Sequence, residues 1–329
     1  MRLAEVVQVL VRYGFSDVVH RLGLHEGLPA KVLRGFRLIE APSGEPETQG
    51  RRLRAALTEL GPTAVKFGQI LSTRPDLVGG EMAKDLGLLQ DRVRAIEFEK
   101  LKPVIEEELG APLADLFFEF NEEAVASASL SQVYRATTRT GKRVAVKVQR
   151  PGVRRIIEAD LLLMRSIAEW IVERVPDVTW MNPVGTVDEF ARSVKRELDF
   201  AIEARIIEQF RKNYDGDPRV FVPRVYTELS SERVLAMDWV EGVRVDDIAQ
   251  YGRYRSNPQT VAVTGADTLC KQVFEHRFFH ADPHPGNILL IGENRIAFLD
   301  YGMVGSLEET DTATIADVLR AIFRQDAES

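Results

Sequence analysis

One short stretch of this chain holds residues suited to chemistry on phosphates. His280-Ala281-Asp282-Pro283-His284-Pro285-Gly286-Asn287 is followed, thirteen residues after Asn287, by Asp300-Tyr301-Gly302. A triphosphate carries several negative charges. The magnesium that neutralises them takes hard oxygen ligands in octahedral geometry and keeps some of its waters. Asn287 and Asp300 offer such oxygens. Asp282, five residues before Asn287, falls on the same loop, where a carboxylate orients or deprotonates an attacking hydroxyl or water. Asp-x-x-x-x-Asn, an apolar hairpin and Asp-aromatic-Gly together point to phosphoryl transfer or ATP hydrolysis.

Taken singly, each residue also has a plainer reading. An Asp before Gly is commonly a turn, and His280 or His284 commonly supports structure rather than a ligand. What gives the pattern its force is the element between the two halves. Ile288 to Ile291 and Arg295 to Leu299 read as two short strands joined by Gly292-Glu293-Asn294, a hairpin that returns Asn287 and Asp300 to one end.

A second group lies upstream. Phe117 to Phe120, Ser131 to Ala136 and Arg143 to Val148 are strand-like, and Arg139-Thr140-Gly141-Lys142 has the composition of a hairpin turn. Val220 to Val225 and Arg233 to Val240 are expected to complete a sheet of about five strands. In Val144-Ala145-Val146-Lys147 the lysine stands where an ammonium reaches the inner phosphates of ATP; an exposed lysine on an edge strand is the alternative. One hairpin earlier, Ala126-Ser127-Ala128-Ser129 opens a loop placed to cover phosphates. It contains no glycine, so it should grip phosphates more stiffly than a glycine-rich loop.

Long helical patterns surround these strands: residues 1 to 40, Arg51 to about Leu109, Ile156 to Val175 and Val187 to Phe210. Glu197, Asp199 and Glu203 all fall in the last of these, and the spacing of six separates Glu197 from Glu203 by roughly 9 Å along one helix axis. Ala41 to Pro46 reads as a linker. After Asp246 the chain reads as mainly helical apart from the hairpin.

Composition narrows the classes. At 329 residues the chain is long enough for two domains or lobes. With 45% hydrophobic and 28% charged residues it is of ordinary globular type. A net charge of −7, from 43 Lys+Arg against 50 Asp+Glu, argues against general nucleic-acid binding. Through Arg54, however, nine basic residues face six acidic ones. A membrane-surface helix would fit there, and a helix packed on the main domain fits as well. Cys270 is the single cysteine, which excludes an intrachain disulfide; its apolar helical context predicts a buried structural thiol. The longest uncharged runs, such as Ala124 to Tyr134, are about half of the roughly 20 residues a membrane span needs.

Taken together, Lys66-Phe67-Gly68-Gln69, the Ala/Ser loop, Lys147, Glu197-Leu198-Asp199 and His280 to Asn287 resemble the UbiB/AarF family of atypical protein-kinase-like proteins. The resemblance runs from about Leu53 to Gly305. It implies an α+β, kinase-like bilobal fold with a small antiparallel-sheet N-lobe and a helical, incomplete C-lobe. The expected divisions are a helical extension over 1–112, an N-lobe with inserted helices over 113–243 and a partial C-lobe over 244–329. It also implies roles. Lys66 and Gln69 match a K-x-G-Q signature whose helical extension blocks protein substrates in such proteins. Glu197 and Asp199 match an E-x-D pair that partners that lysine and faces a metal. Glu203 matches the glutamate that pairs with the strand lysine, here Lys147. Asp282, Asn287 and Asp300 match the catalytic-loop aspartate, the magnesium-binding asparagine and the DFG-type aspartate.

The reading that follows is an ATP- and Mg2+-binding atypical kinase or ATPase. By resemblance it supports ubiquinone, other prenyl-quinone or lipid metabolism at a membrane surface, with quinone-pathway intermediates, lipids and quinone-biosynthesis proteins as partners. Its expected place is cytoplasmic and peripheral to the inner membrane. Only 27 residues follow Gly302, which suggests a truncated chain, since similar proteins continue further and often end in membrane helices. Two other classes stay open: a small-molecule phosphotransferase of the aminoglycoside or choline kinase type, and a non-catalytic nucleotide- or lipid-binding regulator. The K-x-G-Q motif and the glycine-free loop argue against the first.

Overall fold

Helical and period-two apolar patterns alternate along the sequence, and the molecule is correspondingly an α+β protein. The computed structural model describes residues 2–21, 23–24, 48–89, 94–174 and 180–324; the linker expected at Ala41 to Pro46 lies outside them. Among the described residues, the helices are α1 (Arg2–Arg12), α2 (Ser16–Arg21), α3 (Gln49–Leu60), α4 (Pro62–Ser72), α5 (Pro75–Val78), α6 (Gly80–Leu86), α7 (Phe98–Leu109), α8 (Leu113–Leu116), α9 (Val153–Arg174), α10 (Pro183–Glu197), α11 (Phe200–Asn213), α12 (Pro258–Phe274) and α13 (Glu309–Arg324). The strands are β1 (Phe117–Phe120), β2 (Ala126–Ser127), β3 (Ser131–Thr138), β4 (Arg143–Gln149), β5 (Val220–Phe221), β6 (Val234–Asp238), β7 (Val243–Arg244), β8 (Phe278–His280), β9 (Ile288–Gly292), β10 (Arg295–Phe298) and β11 (Val304–Ser306). No helix among the described residues is long and apolar enough to cross a membrane.

The chain forms two compact units, each assembled from several stretches. The first comprises 1–104, 123–133 and 148–198. Its N-terminal helix α1 buries Val7 and Val9. Val7 joins a cluster with Val19 and with Ile167 and Trp170 of α9, and Val9 packs with Ala56 and Leu60 of α3. Polar contacts fix the same helix. Asp160 on α9, 6% exposed, accepts from Arg2 at 2.7 and 3.0 Å and from the Thr63 hydroxyl at 2.7 Å. Helix α4 begins with Gly61 at φ +100° and Pro62 in its first turn, the sequence signal for a sharp entry. It packs Val65 with Leu57, Leu86 and Leu89. Gly68 is needed here, because a Cβ at that position would stand 2.5 Å from Leu89 Cδ1 and 2.7 Å from Leu57 Cδ1.

The second unit comprises 105–122, 134–147 and 199–329. Buried Phe210 on α11 is the hub of an aromatic cluster, 5.2 Å from both the Phe278 and Tyr301 rings. Hairpin β9–β10 pairs Phe298 with Ile288, and its turn holds Gly292, Glu293 and Asn294 at positive φ. Strand β8 pairs antiparallel with β11, Val304 opposite His280.

Several expectations need correction. The sheet containing β1, β3, β4 and β6 does have five strands, but its fifth is the two-residue β2, paired antiparallel with β3. Val220–Phe221 instead runs parallel to β10 in a second sheet of order β5-β10-β9-β7. After Asp246 the paired strands β8 and β11 add to the expected hairpin, so this part is less helical than its pattern suggests. The single helix expected from Val187 to Phe210 is two, broken at Leu198-Asp199, so the axial offset drawn between Glu197 and Glu203 does not apply. Asp199 is extended (φ −122°, ψ 94°) and its carboxylate accepts from the Ala201 N–H at 3.0 Å, capping α11. The Leu198 carbonyl, orphaned at the end of α10, accepts from Gln149 Nε2 at 3.0 Å and Arg154 Nη2 at 3.1 Å. Cys270 is exposed, not buried. Helix α12 buries Val261, Thr264, Thr268 and Gln272, and Cys270 lies roughly 200° around the helix from Thr268.

Candidate active site

Lys147 is a cation on an apolar strand, flanked by Val146 and Val148, both fully buried. A strand places neighbouring side chains on opposite faces, so Lys147 points away from the side those valines fill. Its ammonium needs anionic partners there. Glu203, one turn into α11, supplies both carboxylate oxygens, at 2.9 and 2.8 Å from Nζ. The Phe200 ring lies 5.1 Å from Nζ, and Asp300 Oδ1 is 3.8 Å away. Lys147 and Glu203 side chains are 18% and 7% exposed, whereas Asp300 is 52% exposed. Burial pushes the Glu203 carboxyl above its ordinary range; Lys147 pulls the other way and the Asp300 charge adds to the rise.

The loop before β9 is held by a histidine. His280, 3% exposed, accepts the Asp282 N–H at Nδ1 (3.1 Å), and its Nε2 contacts the Asp300 carbonyl. With Nδ1 accepting, Nε2 carries the proton and donates. Burial lowers the pKa of this imidazole, which favours that neutral form. The backbones of Asp282 and Asp300 are thus joined through one ring. Asn287 closes the loop: its side-chain amide nitrogen donates to the Asp282 carbonyl at 3.2 Å and reaches the carboxylate at 3.4 Å, while its main-chain carbonyl accepts the Leu299 N–H at 2.9 Å. His284 accepts the Gly286 N–H at Nδ1, shaping the turn, and its Nε2 lies 3.8 Å from Asp282 Oδ2.

These groups suit magnesium. Asn287 spends its amide nitrogen on Asp282, so Oδ1 is left as acceptor, and Asp300 is a half-exposed carboxylate whose Oδ1 also accepts the Gly302 N–H at 3.0 Å. Among the described residues no three His, Cys, Asp or Glu side chains converge as a protein-only metal cage. One amide oxygen and one carboxylate match an ion that takes its remaining ligands from phosphates and water.

Tyr301, fully buried, follows Asp300 and packs on Phe210 and His280. Its hydroxyl has no hydrogen-bond partner among the described residues, and burial pushes its pKa upward. A phenylalanine would fill the same space without that orphan.

The other sequence-derived residues belong to the first unit, Asp199 apart. Lys66 Nζ lies 3.0 Å from Glu197, with side chains 18% and 14% exposed, so this lysine is not a surface group. Gln69 donates to the Leu89 carbonyl at 3.4 Å. Asp199 spends a carboxylate oxygen on the α11 cap. In the Ala/Ser loop, Ala126 is exposed, Ser127 and Ala128 are half-buried and Ser129 is 3% exposed. Leu130, at the end of this loop, shares an apolar cluster with Phe67 and Ile70 of α4 and with Leu198. The K-x-G-Q helix, the Ala/Ser loop and the Glu197-Leu198 corner are therefore one packed assembly.

Two residues that sequence reasoning passed over support the loop and its neighbouring strand. Arg150, just beyond β4, donates to Ala128 and Ser127, and fully buried Gln132 bonds both backbone groups of Ile96. The only signal was a polar residue at the end of an apolar strand and another inside one.

Comparison with known proteins agrees with this architecture. Residues 88–329 match the model of the ABC1 atypical kinase-like domain. The chain is 38% identical over 330 residues to a probable protein kinase UbiB of Serratia proteamaculans, covering 99% of this chain and 60% of that protein. It is 37% identical over 333 residues to the corresponding protein of Cellvibrio japonicus, covering 99% and 59%. It thus spans about three fifths of the length of these curated relatives. Among solved structures it resembles the complex of Rv3197 with erythromycin from Mycobacterium tuberculosis, with a TM-score of 0.59 and 29% identity over 83% of this chain and 68% of that one. The fold is kinase-like, and the chain belongs to the ABC1 atypical kinase-like family.

Proposed function

We propose that this chain binds MgATP and transfers or hydrolyses its terminal phosphate, in support of ubiquinone or other prenyl-quinone biosynthesis or of membrane lipid homeostasis. The observation that carries the reading is the Lys147 ammonium held by both oxygens of buried Glu203, with Asp300 at 3.8 Å. In this mechanism Lys147 binds the inner phosphates and Glu203 holds Lys147 in place. Asn287 and Asp300 would hold magnesium, which supplies charge neutralisation on the phosphates when bound. Asp282, its backbone fixed by His280, orients the nucleophile. The Ala126 to Ser129 loop contributes phosphate contacts. Reactions of this kind rest on positioning and electrostatics rather than covalent catalysis, so each fixed charge matters.

Magnesium-dependent ATP turnover by the purified protein, with Asp300→Asn beside it, tests this. Turnover in the wild type and a loss of about 100-fold or more in the variant are expected, from the scale of single electrostatic groups in such sites. Nucleotide binding without turnover in both proteins would overturn the enzyme reading. A small-molecule phosphotransferase remains the second reading, because the solved relative is described as an erythromycin complex. Phosphorylation of a macrolide, an aminoglycoside or choline in the same assay would favour it.

A further inference from the structure

The Ala/Ser loop is glycine-free, yet a loop that covers phosphates must hold its backbone in one defined shape. In the first unit one guanidinium ties that backbone down, beside the pairing of Ala126 and Ser127 with β3. Arg150 Nε donates to the Ala128 carbonyl at 2.9 Å, and Nη2 donates to Ser127 Oγ at 2.7 Å and to the Arg94 carbonyl at 2.9 Å. The Arg150 backbone N–H donates to the Leu130 carbonyl at 2.8 Å. Both ends of the loop therefore end on one residue, while Ala128 N–H to Ser131 O, at 2.9 Å, closes the turn between them.

The anchor itself is stiff. Arg150 precedes Pro151, whose ring confines the preceding backbone to extended conformations. It follows the buried strand residues Val148 and Gln149. On the far side of the guanidinium, the Arg94 to Ile96 segment is fixed independently: Gln132 Oε1 accepts the Ile96 N–H at 2.6 Å and its Nε2 donates to the Ile96 carbonyl at 3.3 Å. A planar fork with donors on separate nitrogens serves three acceptors spread around its edge, a geometry that the compact ammonium of lysine does not match.

We infer that Arg150 is a positioning residue for nucleotide binding, holding the Ala126 to Ser129 loop in its phosphate-binding shape in place of the flexible glycines used elsewhere. The inference rests on the reading of that loop as a phosphate contact. Losing the clamp makes the nucleotide order the loop for itself, which weakens binding without changing the chemical step.

The test uses the full chain with Arg150→Gln and Arg150→Lys. Steady-state MgATP turnover and hydrogen exchange of peptides spanning 123–133 are measured well below the melting temperature. For Arg150→Gln, KM for MgATP is expected to rise about tenfold, equivalent to about 1.4 kcal/mol, with kcat within about twofold and faster exchange confined to the loop. Arg150→Lys should fall between the two. It also keeps the test alive if Arg150→Gln does not fold. An unchanged KM, or a lowered melting temperature with unchanged loop exchange, would overturn the inference. If the wild type neither binds nor turns over MgATP, the functional reading fails instead, and loop exchange alone then judges the clamp.

Discussion

The pair of Lys147 and Glu203 allows a test whose outcome depends on pH in a defined direction. Glu203 is buried, its pKa is raised by that burial, and Lys147 at 2.8 Å is the chief offset. A carboxyl whose pKa is raised on folding favours the fold fully below its unfolded value, near 4.3, and loses that contribution as pH rises through the folded value. Replacing Lys147 by Met removes the offset and leaves the Asp300 charge still raising Glu203, so the penalty at high pH grows. Breaking a buried pair from one side costs about 3–5 kcal/mol. That full cost is expected for Lys147→Met at pH 8, and clearly less at pH 5, where a neutral Glu203 tolerates its surroundings. Adding Glu203→Gln should recover most of the loss, because the amide carries no charge. Urea unfolding of the wild type, both single variants and the double variant at the two pH values gives the coupling energy directly. Equal costs at both pH values, or additive effects in the double variant, would show that the two side chains are not a buried, charge-compensated pair.

Three further outcomes are expected. Tyr301→Phe should stabilise the protein by about 1 kcal/mol, since it deletes a buried hydroxyl that has no protein partner among the described residues; a loss of stability in thermal or urea unfolding would show that the hydroxyl is satisfied. Asp160→Ala should cost about 1.5–3 kcal/mol, because it removes the buried acceptor shared by the Thr63 hydroxyl and the Arg2 guanidinium; calorimetry reads the change, and a cost below about 0.5 kcal/mol, the range of an ordinary surface substitution, would refute the buried latch. His280, with its lowered pKa, contributes stability above its unfolded value of about 6.5 and loses it as pH falls through the folded value. His280→Gln should therefore flatten the acid limb of the stability profile by up to about 1.4 kcal/mol per pH unit, and an unchanged slope would refute the neutral, buried imidazole.

Much of the site was legible because its signals are local. The 288–298 hairpin carries its own turn residues, and β3 and β4 are joined by a turn with Gly141 at φ +77°. Lys147 stood out as the one charge inside the apolar run from Val144 to Val148. The missed features depend on contacts distant in sequence. At Leu198-Asp199 the local signal is one aspartate of N-cap type inside a continuous helical pattern; the break is secured by Gln149, Arg154 and the bond from Phe200 N–H to the Glu232 carbonyl. Val220–Phe221 has no local reason to join β10, and the chain reaches β6 only at Val225, which bridges Met237 antiparallel. The exposure of Cys270 follows from which face of α12 is buried, and the spacing of Thr264, Thr268 and Gln272 is polar, so a hydrophobic pattern could not report it.

The apolar cluster that unites Leu130, Phe67, Ile70 and Leu198 has a consequence for how this protein can change. Closely packed side chains shift together, because a methyl-sized misfit is felt by every neighbour. The K-x-G-Q helix, the Ala/Ser loop and the Glu197 corner therefore share one mechanical fate. A substitution that enlarges or shrinks Leu130 alters the cluster that also holds Phe67, next to Lys66, and Leu198, next to Glu197. Three motifs far apart in the sequence are, to mutation, a single site, and tolerated changes among them should arise as compensating sets.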